Sequence, residues 1–240
     1  MCKKCGKSSH NPNVKSWRRN QNLRDKKSLF QFAFNLTDCS NLDNDDLFEA
    51  ATFGNDVEMK SILACNSIDI NAIDIHGKTP LYLSAQKGHE GVVQLLISQM
   101  DIDVNKGMES GPLAGLTPLS KASHYGHEGV VKLLLAHQDI DVNKAMESGE
   151  DAGITPLWQA TSEKHFQIVK LLLTHPEIDV NKGRVFNGMN PLLIAAGHGL
   201  EVVEVILKHP FIDVNHQRHT DGATPLLLAT YHGQDSGITE

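Results

Sequence analysis

Cysteine and histidine are the residues of this 240-residue chain whose types and spacing could support metal or acid–base chemistry. Cys2 and Cys5 are separated by two residues, a spacing at which both thiolates can bind one tetrahedral zinc ion. A closed site needs two more ligands, and no second Cys-x-x-Cys or Cys-x-x-His follows. We therefore predict no metal site, and Cys2 and Cys5 remain the only candidates for one.

Six of the 13 histidines recur at two fixed positions of a repeated segment. Periodic placement favours a structural role over catalysis. The chain also lacks the G-x-S-x-G, H-E-x-x-H and phosphate-binding glycine patterns. The sequence therefore predicts no catalytic residue, no cofactor and no enzymatic activity. The six are His89, His127 and His165, which precede an apolar stretch, and His137, His175 and His209, which end one.

The unit that positions these residues is clearest in residues 117–144. Thr117 can accept a backbone N–H as an N-cap, and Pro118 suits the first helical position. Gly126 supplies a left-handed residue at which a first helix can end. The apolar residues that follow have the spacing of a second helix, and residues 140–143 alternate apolar and polar side chains as an extended exit.

The unit recurs, because Pro-Leu follows a capping residue at intervals of 34 to 38 residues. An exit of Asp, an apolar residue and Asn precedes each capping residue. A fixed period in this range indicates stacked units, none of which can bury its apolar face alone. The capping residues are Thr79, Thr117, Thr155, Asn190 and Thr224, and the exits start at Asp69, Asp103, Asp141, Asp179 and Asp213.

The segments GKTPLYLSAQKGHEGVVQLL from Gly77 and GLTPLSKASHYGHEGVVKLL from Gly115 resemble the ankyrin repeat family. The resemblance extends over residues 43–240. It implies an all-α fold, an ankyrin-type α-solenoid of stacked helix–turn–helix repeats with β-hairpin-like finger loops. The predicted units are a capping repeat at 43–73, repeats at 74–106, 107–144, 145–182 and 183–216, and a truncated repeat at 217–240.

Several positions depart from the regular unit. Asp45 and Asp46 are expected to cap the first helix in place of Thr-Pro, since a carboxylate can accept the same N–H bonds. Lys164 replaces the turn glycine and predicts backbone strain. Asn190 replaces Thr as a cap, and its unit has a helix–helix turn that is one residue short. The last unit lacks a second helix and predicts an exposed apolar end at 226–229, either a fragment of a longer array or a frayed cap.

Two of the finger loops are longer than the others. The stretch from the exit to the next cap has 13 residues in these two units and 9 or 10 elsewhere. Their sequences, NKGMESGPLAGL and NKAMESGEDAGI, are near copies that place Met108 and Met146 beside Glu109 and Glu147. We predict both methionines to be exposed. The loops are then either an adaptable contact surface or a harmless loop copied by duplication.

Residues 1–42 differ in composition, with nine lysines and arginines against two acidic residues in a chain of net charge −7. We predict a largely disordered basic arm. Its segment 15–27, with Trp17, is either a nuclear import signal, a weak nucleic-acid contact or a solvated tail. Its Phe-rich segment 29–36 either covers the first repeat or anchors another protein.

The same features bear on location. The chain has no run of 18 apolar residues, which predicts no membrane span. The four cysteines are unevenly spaced and do not suggest a disulfide framework, since Cys2, Cys5, Cys39 and Cys65 share no pattern. We expect an intracellular monomer, cytoplasmic or nuclear.

The resemblance implies protein recognition through a concave face formed by the first helices and the fingers. The alternatives are a nuclear or nucleic-acid-associated factor that uses the basic arm, or the targeting fragment of a larger enzyme. Tyr125 and Trp158 in adjacent repeats are candidate hot spots, since large aromatics dominate such interfaces. The implied partner-binding residues are Tyr82, Leu83, Gln86, Lys87, Met108, Glu109, Lys121, His124, Tyr125, Met146, Glu147, Trp158, Gln159, Ser162, Glu163, Ile194 and His198.

Overall fold

The computed structural model of the chain describes residues 42–65, 68–111 and 113–235, which lie within one compact unit, Ser40–Glu240. This described part contains eleven α-helices and no strand. The helices are α1 Asn44–Phe53, α2 Asp56–Leu63, α3 Pro80–Lys87, α4 Glu90–Ile97, α5 Pro118–Tyr125, α6 Glu128–Leu135, α7 Pro156–Ser162, α8 Phe166–Leu173, α9 Pro191–His198, α10 Leu200–Leu207 and α11 Pro225–Asp235.

In the units that follow the capping repeat, the first helix begins at the predicted capping residue. The hydroxyls of Thr79, Thr117 and Thr155 each accept the backbone N–H three residues later, at 3.1 Å. The amide oxygen of Asn190 does the same for the N–H of Leu193 at 2.9 Å, which confirms that Asn can replace Thr here.

The cap of α1 lies two residues before the predicted position. Asp43 accepts the N–H groups of Asp45 and Asp46, and the Asp46 carboxylate accepts the N–H of Asp43 in return. This reciprocal capping box satisfies donors that the helix itself cannot pair. The prediction that Asp45 and Asp46 cap the helix is therefore wrong, since Asp45 lies within its first turn and Asp46 completes the box.

The turns between paired helices require left-handed backbone. Gly88 and Gly126 end α3 and α5 at φ of 77° and 78°. In the next unit the equivalent residue is Lys164, the one non-glycine residue of the described part with positive φ, at 60°. The predicted strain at Lys164 is confirmed. In the fourth unit Gly199 alone separates α9 from α10, as the shortened spacing predicts.

Replacing Lys164 by Gly is expected to raise the free energy of unfolding by about 1 kcal/mol, because glycine adopts left-handed backbone without the Cβ clash. Denaturant unfolding monitored by circular dichroism measures the change. Lys170→Gly is the matched control. It removes the same side chain from the interior of α8 and should lower stability by about 1 kcal/mol. A loss of stability in Lys164→Gly would contradict this reading of the turn.

The core runs through the first five units as one continuous apolar cluster. It contains the buried positions of the second helices, such as Val93, Leu134 and Leu172, and the leucine that follows the first proline of α3, α5, α7 and α9. Ala85 and Ala122 are fully buried where the first helices of neighbouring units meet. Small side chains at these contacts let the first helices pack closely, so that they form one continuous row.

A ladder of asparagine side chains connects successive exits and is a feature that sequence reasoning missed. The amide of Asn143 donates to the Glu177 carbonyl at 2.6 Å and accepts the Asp179 N–H at 2.8 Å. Asn71, Asn105 and Asn181 make the same pair of bonds to the exit of the following unit, at 2.6 to 2.9 Å. The sequence signal that could have predicted this ladder is that the residue two positions after each exit Asp is always Asn and never another polar residue.

The fingers are hairpin-like loops held by backbone bonds. Met108 N–H donates to the Leu116 carbonyl at 3.0 Å, and Gly115 N–H donates to the Met108 carbonyl at 2.8 Å. Met146 makes the same pair with Ile154 and Gly153 in the second long finger, at 3.0 and 2.9 Å. These bonds define a two-residue ladder that is too short to form a strand.

The last described helix leaves an apolar end, as predicted. Leu226 is 73 % exposed, and Leu227 and Tyr231 are also largely exposed. Cys65 is buried. Cys2, Cys5, Cys39 and the basic and Phe-rich segments of the arm lie outside the described residues.

No helix in the described residues is long and apolar enough to cross a membrane.

Candidate functional site

The surface that could bind a partner is the row of first helices α3, α5, α7 and α9 with the fingers beside them, here called the first-helix face. Its inner positions are more enclosed than the sequence suggested. Of the seventeen candidate residues, those that the structure buries are Tyr82, Leu83, Lys121, Met146, Gln159 and Ile194. The other candidates keep partial or full solvent exposure.

The exposed candidates form a band along the outer edge of the first-helix face. Lys87, Tyr125 and Glu163 occupy the C-terminal turns of their helices, and Glu109 and Glu147 lie at the fingers. The half-buried candidates Gln86, Met108, His124, Trp158, Ser162 and His198 lie among them.

The long fingers have an apolar core of their own. Tyr82, Leu116, Met146 and Ile154 form it, and half-buried Met108 packs against it. Met146 is only 4 % exposed, so the prediction that both methionines are exposed is wrong for Met146 and only partly right for Met108. The physical reason is that adjacent fingers stack, so a methionine at one finger packs against its neighbour.

Tyr82 belongs to this finger core and is fully buried. Its hydroxyl contacts the sulfur of Met108 at 3.9 Å. Burial, and after it the charges of Tyr125 and Asp74, raise the pKa of Tyr82 well above its usual range. Tyr82 therefore stays neutral and acts as a packing residue in this conformation.

Trp158 uses its polar edge inside the protein. The indole N–H donates to the Met189 carbonyl in the following finger at 2.9 Å, and the Arg184 guanidinium lies 5.8 Å from the ring centroid. Arg184 in turn pairs with Asp151 of the preceding finger. Trp158 thus ties a first helix to the next finger, and only part of its ring remains for an external contact.

Tyr125 is the aromatic residue that the first-helix face presents to solvent, with 46 % of its surface exposed. Gln86 Nε2 donates to its hydroxyl at 3.4 Å, and the Lys121 ammonium lies 5.8 Å from its ring centroid. The rings of His124 and His127 pack against it at 4.7 and 6.2 Å between centroids. These neighbours fix the ring and leave one side of it open.

The neighbourhood of Tyr125 is cationic. Lys121 is only 6 % exposed, and Lys78 lies near it, with its ammonium 5.9 Å from the ring of Tyr82. Burial, and then the charge of Lys78, lower the pKa of Lys121. On the other side of Tyr125, His124 Nδ1 lies 2.9 Å from Gln159 Oε1 and 3.6 Å from Glu163 Oε1. The face therefore changes from basic to acidic across one repeat.

A cleft of about 380 Å³ lies farther along the same face, between the last three first helices. Trp158, Leu193, His198 and Leu228 line it, with Arg218 at its margin. Arg218 is paired with Asp221, which holds the pKa of that carboxyl at about 2. The lining of the cleft is therefore partly apolar and partly polar, and the charge of Arg218 is neutralised by Asp221.

The repeated histidines have the predicted structural role. His89, His127 and His165 each donate from Nε2 to a carbonyl of the preceding unit, at 3.0, 3.1 and 2.9 Å. No group of three or more His, Cys, Asp or Glu side chains within the described residues could hold a metal ion. Cys2 and Cys5, the zinc candidates, lie outside these residues.

These features define a helical repeat protein whose units are joined by histidine and asparagine side chains. The family described as ankyrin repeats (3 copies) matches the chain over residues 21–108, 106–184 and 157–239. The chain belongs to the ankyrin repeat family. The predicted resemblance and the all-α solenoid fold are confirmed.

A solved structure supports the same architecture. The crystal structure of EF0377, an ankyrin repeat protein, superposes with a TM-score of 0.68 at 22 % sequence identity. The match covers 79 % of this chain and 92 % of that one, and at this identity it shows the fold alone. No curated protein matches the chain. Ankyrin repeats are generally protein–protein interaction modules and are typically non-enzymatic.

Proposed function

We propose that this chain is a non-enzymatic module that binds a protein partner through its first-helix face and fingers. The observation that supports this most strongly is Tyr125, a large aromatic residue that is exposed yet held in place by Gln86, Lys121 and two histidine rings. A rigid amphipathic ring contributes contact area at little entropic cost, which is why tyrosine is enriched at binding hot spots.

The surroundings of Tyr125 fit an interface centre. Lys87 and Glu163 are exposed in the adjacent repeats and provide a charged rim of mixed sign. A central aromatic group with a polar rim is the usual anatomy of a protein interface. Trp158 contributes from its half-buried edge, whereas buried Tyr82 and Leu83 support the surface from below.

The fingers extend this surface on one side. Glu109 is exposed and paired with Lys106 at 3.0 Å, and Glu147 occupies the equivalent position one unit later. Because the finger core fixes both loops, these carboxylates have defined positions along the edge of the face. We propose that they select partners by charge, since rim charges govern specificity and association rate more than affinity.

We propose that the chain binds its partner inside the cell and that it does so as a monomer. The basic segment 15–27 remains the candidate for a nucleic-acid or nuclear import role, and it lies outside the described residues. The proposal for the repeats does not depend on it.

Photo-crosslinking of the full chain tests which face binds. A photoreactive residue replaces Lys87 on the first-helix face or, as the control, Lys170 on α8, which is equally exposed. We expect one cross-linked species from position 87 in cell lysate and none from position 170. Tyr125→Ala should lower the yield at position 87 by about tenfold, as expected when a hot-spot side chain is lost. Cross-links at position 170 alone, or a yield that Tyr125→Ala leaves unchanged, would contradict the proposal.

A further inference from the structure

The first-helix face contains a pair of lysines whose ammonium groups form no ion pair within the described residues. Lys78 lies at the base of the first finger and Lys121 in α5, each with its ammonium beside a tyrosine ring. Neither ammonium has a hydrogen-bond acceptor or an ion pair among the described residues, apart from these ring contacts. Lys106 of the adjacent finger, by contrast, is paired with Glu109 at 3.0 Å.

Lys121 is the unusual member of the pair, because its side chain is 94 % removed from solvent. Its exposed fraction is 6 %, yet its Nζ is not among the fully enclosed atoms that lack a partner. The buried stem therefore ends in an ammonium that reaches the surface. Burying a lysine without a counter-charge is costly, and burial and Lys78 both disfavour its charged form.

No carboxylate of the described residues forms an ion pair with either lysine. The Asp74 charge contributes to the raised pKa of Tyr82, and Asp74 Oδ1 accepts the backbone N–H groups of His76 and Lys78, both at 2.9 Å. The Tyr125 hydroxyl accepts a bond from Gln86, so its own hydrogen is free to meet an acceptor. Two ammonium groups and one hydroxyl donor thus lie in one neighbourhood, and neither ammonium has an ion-pair partner there among the described residues.

We propose that Lys78, Lys121 and Tyr125 form a pocket for a carboxylate, the side chain of an Asp or Glu in the protein partner. This inference rests on the proposed function and adds the chemistry that the partner must bring. A carboxylate at this place would gain charge-assisted hydrogen bonds, which are about twice as strong as bonds between neutral groups. It would also supply the counter-charge that Lys121 lacks.

The pocket is tested by selecting, from a displayed library of random dodecapeptides, those that bind the full chain. The peptides are fused at their C-termini, so that any carboxylate they offer is a side chain. Some selected peptides should bind the parent chain but not the Tyr125→Ala variant. We expect these peptides to share one acidic residue at a fixed position. Replacing that residue by its amide should weaken binding by about 10- to 100-fold, the range for a hydrogen bond to a charged group.

Matched lysine variants assign the effect. Lys121→Met keeps the length of the buried stem and removes the charge. It should therefore weaken binding of the acidic peptide as much as the amide replacement in the peptide does. Combining both changes should cost no more than either alone. Lys132→Met is the control, because Lys132 lies on α6 and is already paired with Glu128 at 2.6 Å. It should leave peptide binding unchanged.

Folding and protonation give independent readouts. Removing a desolvated amine should leave the Tm of Lys121→Met unchanged or higher, and Lys121→Gln serves as a second neutral variant. In the parent, NMR of the Lys121 side chain should show its pKa rising when the acidic peptide binds, because a carboxylate stabilises the ammonium form.

The outcomes separate the two proposals. Peptides that depend on Tyr125 but bind Lys121→Met as well as the parent would overturn the carboxylate pocket and leave the first-helix face as the binding surface. A library from which no Tyr125-dependent peptide emerges would contradict the proposed function and the pocket together.

Discussion

Replacing Gly126 by Ala is expected to lower the free energy of unfolding by about 3 kcal/mol, the larger of two effects predicted for the joints between units. Gly126 has φ of 78°, where a Cβ costs about 1–2 kcal/mol by itself. The added Cβ would also lie 2.7 Å from Cε1 of His165, so the imidazole must move. Moving it strains or breaks the 2.9 Å bond from His165 to the His124 carbonyl, and overpacking of this kind costs about 1–3 kcal/mol. Urea unfolding measures the loss.

Gly149→Ala is the matched control for this prediction. Gly149 has φ of 81°, yet an added Cβ there meets nothing within 4 Å. It should therefore show only the backbone cost, about 1–2 kcal/mol. If Gly126→Ala and Gly149→Ala lower the free energy of unfolding by the same amount, the contact between Gly126 and His165 contributes nothing measurable, and the explanation of the repeat turn is wrong.

Asn143→Ala is expected to lower the free energy of unfolding by about 2 kcal/mol. The substitution removes two bonds to the next unit, to the Glu177 carbonyl and the Asp179 N–H, and each is worth about 1 kcal/mol net. The helices on either side keep their caps and their apolar contacts. The loss should therefore appear as weaker coupling between neighbouring repeats, measured by denaturant unfolding and by faster amide exchange in residues 177–181.

Asn215 provides the control, because it occupies the same position in the last exit. Its backbone N–H keeps the bond to Asp213 at 3.0 Å, and its side-chain amide has no following exit to bind within the described residues. Asn215→Ala should change stability by less than about 0.5 kcal/mol, as for an ordinary surface substitution. An equal cost at Asn143 and Asn215 would show that the amide acts within its own turn and not as a link between units.

Much of the architecture could be predicted from the sequence because each local signal has a local cause. Thr117 and Pro118 start a helix wherever they occur together, and Gly126 ends one, so the repeat boundaries required no knowledge of the packing. The strain at Lys164 and the short turn at Gly199 followed from counting residues against the repeat. The family assignment rested on the same local signals.

The binding face could be predicted only in part. Eleven of the seventeen candidate residues keep partial or full solvent exposure, and six are buried. How far each side chain emerges depends on its neighbours one repeat away, about 35 residues distant in sequence. Tyr82 and Met146 were expected at the surface, but the stacking of adjacent fingers buries both.

What the sequence by itself determined is the repeated unit: its caps, its turns, its apolar faces and the number of units stacked. What only the tertiary structure decided is which residues the stacking leaves accessible. The Asn143 amide reaches the next exit, and Lys121 is enclosed without a counter-charge, because separate repeats meet there in three dimensions. The exposure of a side chain and the pairing of its charge depend on the contact between repeats, so they cannot be predicted from the residues adjacent to it in sequence.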